Sequence, residues 1–176
     1  MSVFTYHKKT SAIAFYVMLI HALIIESVGF HFLLHSWNPI VALVALILNL
    51  YTLLLFLAEI QALRLAPFIL TDNHLYLQVG VMKRLKVSLQ DIKSIHAYEG
   101  PEKLSRKEEK EIFDAVLVDF MKEQPAFEIT FHTPQTAQLL YGFTKTVTKV
   151  HLRPDEPQQF YTVLTEKLSE IYENDH

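Results

Sequence analysis

Two apolar runs, 12–35 and 40–58, stand near the start of the chain and are joined by the short turn Ser36-Trp37-Asn38-Pro39. Few environments accept such a pair. At a rise of about 1.5 Å per residue, a helix over 40–58 is about 28 Å long, close to the hydrocarbon thickness of a bilayer. Asn49 is the one strongly polar side chain in that run, whereas His21, Glu26, Ser27, His31 and His35 interrupt the first. Lys8 and Lys9 ahead of an apolar stretch also suit a signal peptide, but the stretch is too long and no small-x-small site precedes Trp37. The pattern predicts a transmembrane hairpin within residues 1–63.

The flanks orient it. Lys8 and Lys9 precede the first run, Arg64 follows the second, and the turn carries no charge. The positive-inside rule then places both termini in the cytoplasm of a multi-pass protein in the cell (plasma) membrane. Tyr6 and Trp37 fall where amphipathic rings settle, at the two interfaces.

A carboxylate near mid-bilayer costs several kcal/mol unless it is neutralised or paired. Glu26 and Asn49 lie at equal distances on either side of the turn, hence at equal depth in an antiparallel hairpin. An interhelical Glu26–Asn49 hydrogen bond is the expected structural role for both. His31 and His35, spaced i and i+4, share one helix face and are the weak candidates for a metal site. His21 lies about 15 Å from His31 along the axis, and Glu26 points elsewhere around it. One hairpin therefore does not gather three ligands, and neither a metal nor a cofactor is expected.

Residues 64–176 form a different kind of chain, with 14 basic and 17 acidic residues, so nucleic acid is not an expected partner. The chain has no cysteine, which excludes disulfides and cysteine nucleophiles and fits a reducing compartment. Leu75, Leu77 and Val79, then Leu85, Val87 and Leu89, then Phe127, Ile129 and Phe131 alternate as half-buried strands do. Val116, Val118 and Phe120 suggest a further strand, residues 134–142 a loop or bulge, and 142–152 a Thr-rich strand. Residues 100–114 read as a charged insert, with Ser105 and Glu108 spaced as a capping box. Asp155-Glu156-Pro157 opens a final helix whose Phe160, Leu164, Leu168 and Ile171 make one apolar stripe.

The expected fold class is thus α+β: a two-helix hairpin, then a PH-like β-barrel or sheet (64–176) capped by a C-terminal amphipathic helix. The segment Ile69-Leu70-Thr71-Asp72-Asn73-His74-Leu75, followed by Gly80 and Val87-Ser88-Leu89-Gln90-Asp91-Ile92, resembles bacterial membrane proteins with two transmembrane helices and a PH-like domain. His74 stands where that family has a basic residue and Ser88 where it has Pro. The resemblance covers roughly residues 40–98, and members are mostly of unknown function. It implies an architecture and a location, with no reaction.

Lys83, Arg84 and Lys86 follow Gly80 where PH domains carry headgroup-binding cations, and are the candidate contact to an anionic lipid or a partner. No hydrolase, metalloprotease or nucleotide-binding motif occurs, so no catalytic residue is nominated. His74, His96, His132 and His151 are scattered over predicted strands. The expected function is a non-enzymatic, membrane-anchored interaction module that binds a protein partner or anionic lipid. Two readings stay open beside it: an oligomeric membrane enzyme or transporter using Glu26, His31 and His35, and an accessory subunit whose hairpin packs on a larger complex or on itself.

Overall fold

Asn38-Pro39 divides the apolar region into two helices in the computed structural model, α1 (Ala12–Trp37) and α2 (Pro39–Leu65). The structure describes residues 1–8, 10–101, 105–117 and 123–174. Lys9 of the basic flank, residues 102–104 of the charged insert, and Val118 and Phe120 of one expected strand lie outside them. Asn38 starts α2 by accepting the Ile40 and Val41 N–H groups on its side-chain oxygen at 2.9 and 3.4 Å, with Pro39 at the first helical position. Both helices are long and apolar enough to cross a membrane by length and composition. They pack against each other, with a Tyr16–Phe56 ring contact at 5.9 Å, and Ala42 of α2 is buried.

An eight-stranded mixed sheet follows: β2 (Phe68–Leu70), β3 (His74–Val79), β4 (Lys83–Ser88), β5 (Ile92–Ala97), β6 (Ile112–Asp114), β7 (Phe127–Leu139) and β8 (Thr144–Leu152), with β1 (Ser2–Phe4) supplied from ahead of the hairpin. A short helix, α3 (Arg106–Glu111), precedes β6, and α4 (Pro157–Asn174) closes the chain. The strands run in the order β1-β2-β3-β4-β7-β8-β6, and β5 pairs with β7. All pairings are antiparallel except β6 with β8. β8 lies along one edge of β7; β5 takes the start of the other edge and β4 its end. The β7–β8 register shifts between Thr130 and Gln135, around Pro134, which has no N–H for the ladder. Of the expected loop or bulge at 134–142, residues 134–139 are strand, and the irregularity lies between Thr130 and Gln135.

The strand alternation holds: Leu75, Leu77, Val79, Leu85, Val87, Ile129 and Phe131 are all buried. So does the α4 stripe, with Phe160, Leu164 and Leu168 buried and Ile171 packed against the core. Ser105 and Glu108 form the capping box of α3 reciprocally, at 2.9 and 3.3 Å.

One boundary moves. Residues 2–6, expected within the hairpin region 1–63, join the sheet: β1 pairs with β2, and Phe4 and Tyr6 belong to the sheet core. Tyr6 stacks on Phe68 at 4.4 Å, and Phe4 meets Phe160 of α4 edge-on at 5.1 Å. Asp155 clasps the same segment: its N–H donates to the Thr5 carbonyl and its carboxylate accepts the Lys8 N–H. Tyr6 is thus a core residue, not a free ring at an interface. The chain leaves the sheet, runs out along α1 and returns along α2 to the strand beside its start.

Candidate functional site

The root of the hairpin is where sequence-distant polar groups meet. Ala12 and Leu63, at the bases of the two helices, join the sheet core, and Glu59 on α2 is only 2 % exposed. The Glu59 carboxylate accepts the Val81 N–H at 2.8 Å, while the Tyr6 hydroxyl accepts the Gly80 N–H at 3.3 Å. Two successive amides of the β3–β4 turn are therefore held, one by α2 and one by the segment ahead of α1. Gly80 has φ +55°, and a Cβ there would fall 1.8 Å from the Glu59 carboxylate. Only glycine lets the turn present both N–H groups at this range. Burial pushes the Tyr6 phenol up to about 12; the Gly80 N–H opposes the rise and the Glu59 charge adds to it. The joint couples hairpin and sheet through these two backbone amides and the buried Ala12 and Leu63. Glu59 is not among the candidate residues read from the sequence. The available signal was a lone carboxylate directly after the apolar run 40–58.

The residues expected to form a site in the hairpin are placed differently. Glu26 is exposed, Asn49 is half-buried, and among the described residues no hydrogen bond joins them. Equal distance from the turn fixes depth but not direction around each helix axis, so the expected pair does not form. His31 and His35 do share a face, their rings stacked at 5.8 Å, and His31 Nδ1 has no hydrogen-bond partner. The described residues contain no cluster of three His, Asp or Glu side chains arranged to hold a metal.

The β4 cations separate by strand parity. Lys83 donates to the Asp114 carbonyl at 2.8 Å, whereas Arg84 and Lys86 are exposed, with Lys86 5.5 Å from the centre of the Tyr76 ring. Arg84 and Lys86 share one face of β4, and Lys83 turns from it.

Two of the scattered histidines converge instead. Glu128 on β7 lies opposite His96 of β5 and His151 of β8 in the sheet register. Its carboxylate accepts from Lys149 Nζ at 2.9 Å and pairs with His151 Nε2 at 2.8 Å. His151 is 2 % exposed and meets the Tyr98 ring edge-on at 4.7 Å. Burial pushes the Glu128 carboxyl up, but the hydrogen bonds and charges of Lys149 and His151 outweigh it and hold the group below the usual carboxylate range. A cavity of about 360 Å³ opens beside this network, lined by His96, Tyr98, Glu108, Glu128 and Lys149 among others. Comparison with protein-family models, curated proteins and solved structures finds no match to this chain.

Proposed function

We propose that this protein is a non-enzymatic, membrane-anchored interaction module, in which the hairpin crosses the cell membrane and holds a PH-like sheet domain at the cytoplasmic face. The carrying observation is the contrast between the hairpin's surface and its root. Val17, Ile25, Phe32, Leu43 and Leu50 are exposed along the helices, and Trp37 at the turn is 80 % exposed. Monomeric soluble proteins rarely leave so large a continuous apolar surface in water. Yet the root is built into the core through Ala12, Leu63, Glu59 and Tyr6. A cleaved signal peptide fits poorly, because β1 precedes α1 and pairs with β2. The pairing of Glu128 with both Lys149 and His151 supports a structural network over an acid–base site. The exposed Arg84 and Lys86 face is the surface for an anionic headgroup or an acidic partner. Purified membranes washed in alkaline carbonate test the anchor: the protein stays with the bilayer, and its release into the wash overturns the reading.

A second reading has its own observation. Glu26 faces outward from the hairpin, and a lipid-facing carboxylate is expensive. Packing of the Glu26 face against another membrane helix, from a larger complex or a second copy, removes that cost. A photoreactive group at position 26 tests it: cross-links to another chain support an intramembrane partner, and cross-links to lipid alone refute it.

A further inference from the structure

We infer that the tip of the β7–β8 hairpin, Leu140-Tyr141-Gly142-Phe143, enters the same bilayer as α2 and forms a third membrane contact beside the two helices. The inference rests on the anchoring reading and extends it to a segment that sequence reasoning treated as a loop. The tip is held against the helix: the Tyr141 and Tyr51 hydroxyls are hydrogen-bonded across ninety positions of sequence. Tyr51 lies in the interior of α2, eight residues nearer the Trp37 turn than Glu59. At about 1.5 Å per residue, that contact is about 12 Å beyond the level where Glu59 grips the β3–β4 turn. From Pro39, beside Trp37, to Glu59 the helix α2 rises about 30 Å, close to a bilayer's hydrocarbon thickness. With Trp37 at one interface and Glu59 at the other, a group bonded to Tyr51 lies inside the hydrocarbon boundary.

The composition of the tip suits that position. Residues 139–144 read Leu-Leu-Tyr-Gly-Phe-Thr, with no charge. Tyr141 and Phe143 are 70 % and 68 % exposed, so the tip offers its rings outward. Tyr141 and Gly142 both take positive φ, at 60° and 80°, a conformation that L side chains adopt at a cost. The Leu139 N–H closes the turn on the Phe143 carbonyl at 2.7 Å. The bond between the two hydroxyls gives one O–H the acceptor that hydrocarbon does not supply. The occupant of this apolar surface is therefore the acyl region of the bilayer, reached as a direct continuation of the α2 surface.

The test uses the full chain in phosphatidylcholine vesicles with lipids brominated along the acyl chains. Trp37 is the sole native tryptophan, so the wild-type protein reports hairpin insertion alone. Phe143→Trp and, separately, Tyr141→Trp in a Trp37→Phe background report the tip. The expected result is a blue-shifted tip emission that loses most of its intensity in brominated vesicles, for both variants. Unquenched tip tryptophans beside a quenched Trp37 overturn the inference and leave the anchoring reading standing. Unquenched tryptophans at all three positions overturn both.

Discussion

Gly80→Ala is the sharpest perturbation of the hairpin–sheet joint. The new Cβ falls 1.8 Å from one Glu59 carboxylate oxygen and 2.5 Å from the other, so the carboxylate must leave. The clash itself is inexpensive, since the obstructing atoms end a flexible side chain. The cost lies in what departs with them. The Val81 N–H loses a charge-assisted hydrogen bond of 2.8 Å, worth about 1.5–3 kcal/mol when left unmade. An alanine at φ +55° adds about 1–2 kcal/mol of left-handed strain. The sum, about 2.5–5 kcal/mol, is a large share of the about 5–15 kcal/mol that stabilises a domain. Glu59→Ala removes the same hydrogen bond without the strain, so Gly80→Ala made on top of it costs only the left-handed term. Unfolding of the four proteins in mild detergent, followed by far-UV circular dichroism, gives the double-mutant cycle. A coupling of about 1.5–3 kcal/mol is expected, equal to the shared hydrogen bond. Additive effects, with no coupling, would show that Glu59 does not hold the turn.

Further expectations concern the sheet. Tyr6 has its phenol pKa raised to about 12 in the folded protein from 10.0. Its contribution is complete below pH 10 and is lost as pH rises towards 12, up to about 3 kcal/mol; Tyr6→Phe should flatten that alkaline loss in a pH series of melting curves. Glu128 is held below its ordinary 4.5, so its stabilisation is present above that value and fades as pH falls through the lowered one. Glu128→Gln should reduce the slope of acid unfolding, and an unchanged slope would remove the Lys149–Glu128–His151 network from the account. Phe4→Ala, at a ring buried against Phe160, should cost about 3–5 kcal/mol, a loss that urea unfolding would detect. An effect below 1 kcal/mol would return residues 2–6 to a loose N-terminal tail.

What the sequence disclosed was local. The two helices, the Ser105–Glu108 box and the Phe160–Leu164–Leu168 stripe depend on spacings of a few residues, where periodicity and capping act. β1 escaped because its partner, β2, is more than sixty residues away and three residues carry too little pattern to announce a strand. Glu59 escaped for a related reason: its partner is a backbone amide, and backbone partners leave no mark in side-chain patterns. Glu26 and Asn49 show the converse limit: equal spacing from the turn says nothing of direction around each helix axis, and no hydrogen bond joins them among the described residues. The convergence of His96, Glu128 and His151 needed the register of three strands, which alternation does not supply.

The proposed topology, an inserted hairpin with the segments on either side of it facing one side of a membrane, can be measured directly because the chain has no native cysteine. Single cysteines at Ser36 beside the hairpin turn, at Asn73 in the β2–β3 turn and at Ser169 on α4 can be labelled in intact cells with a membrane-impermeant maleimide; all three positions are exposed. The account predicts that Ser36→Cys reacts from outside, while Asn73→Cys and Ser169→Cys react only after the cells are opened. Protection of Ser36→Cys together with the other two, or reaction of all three from outside, would contradict it.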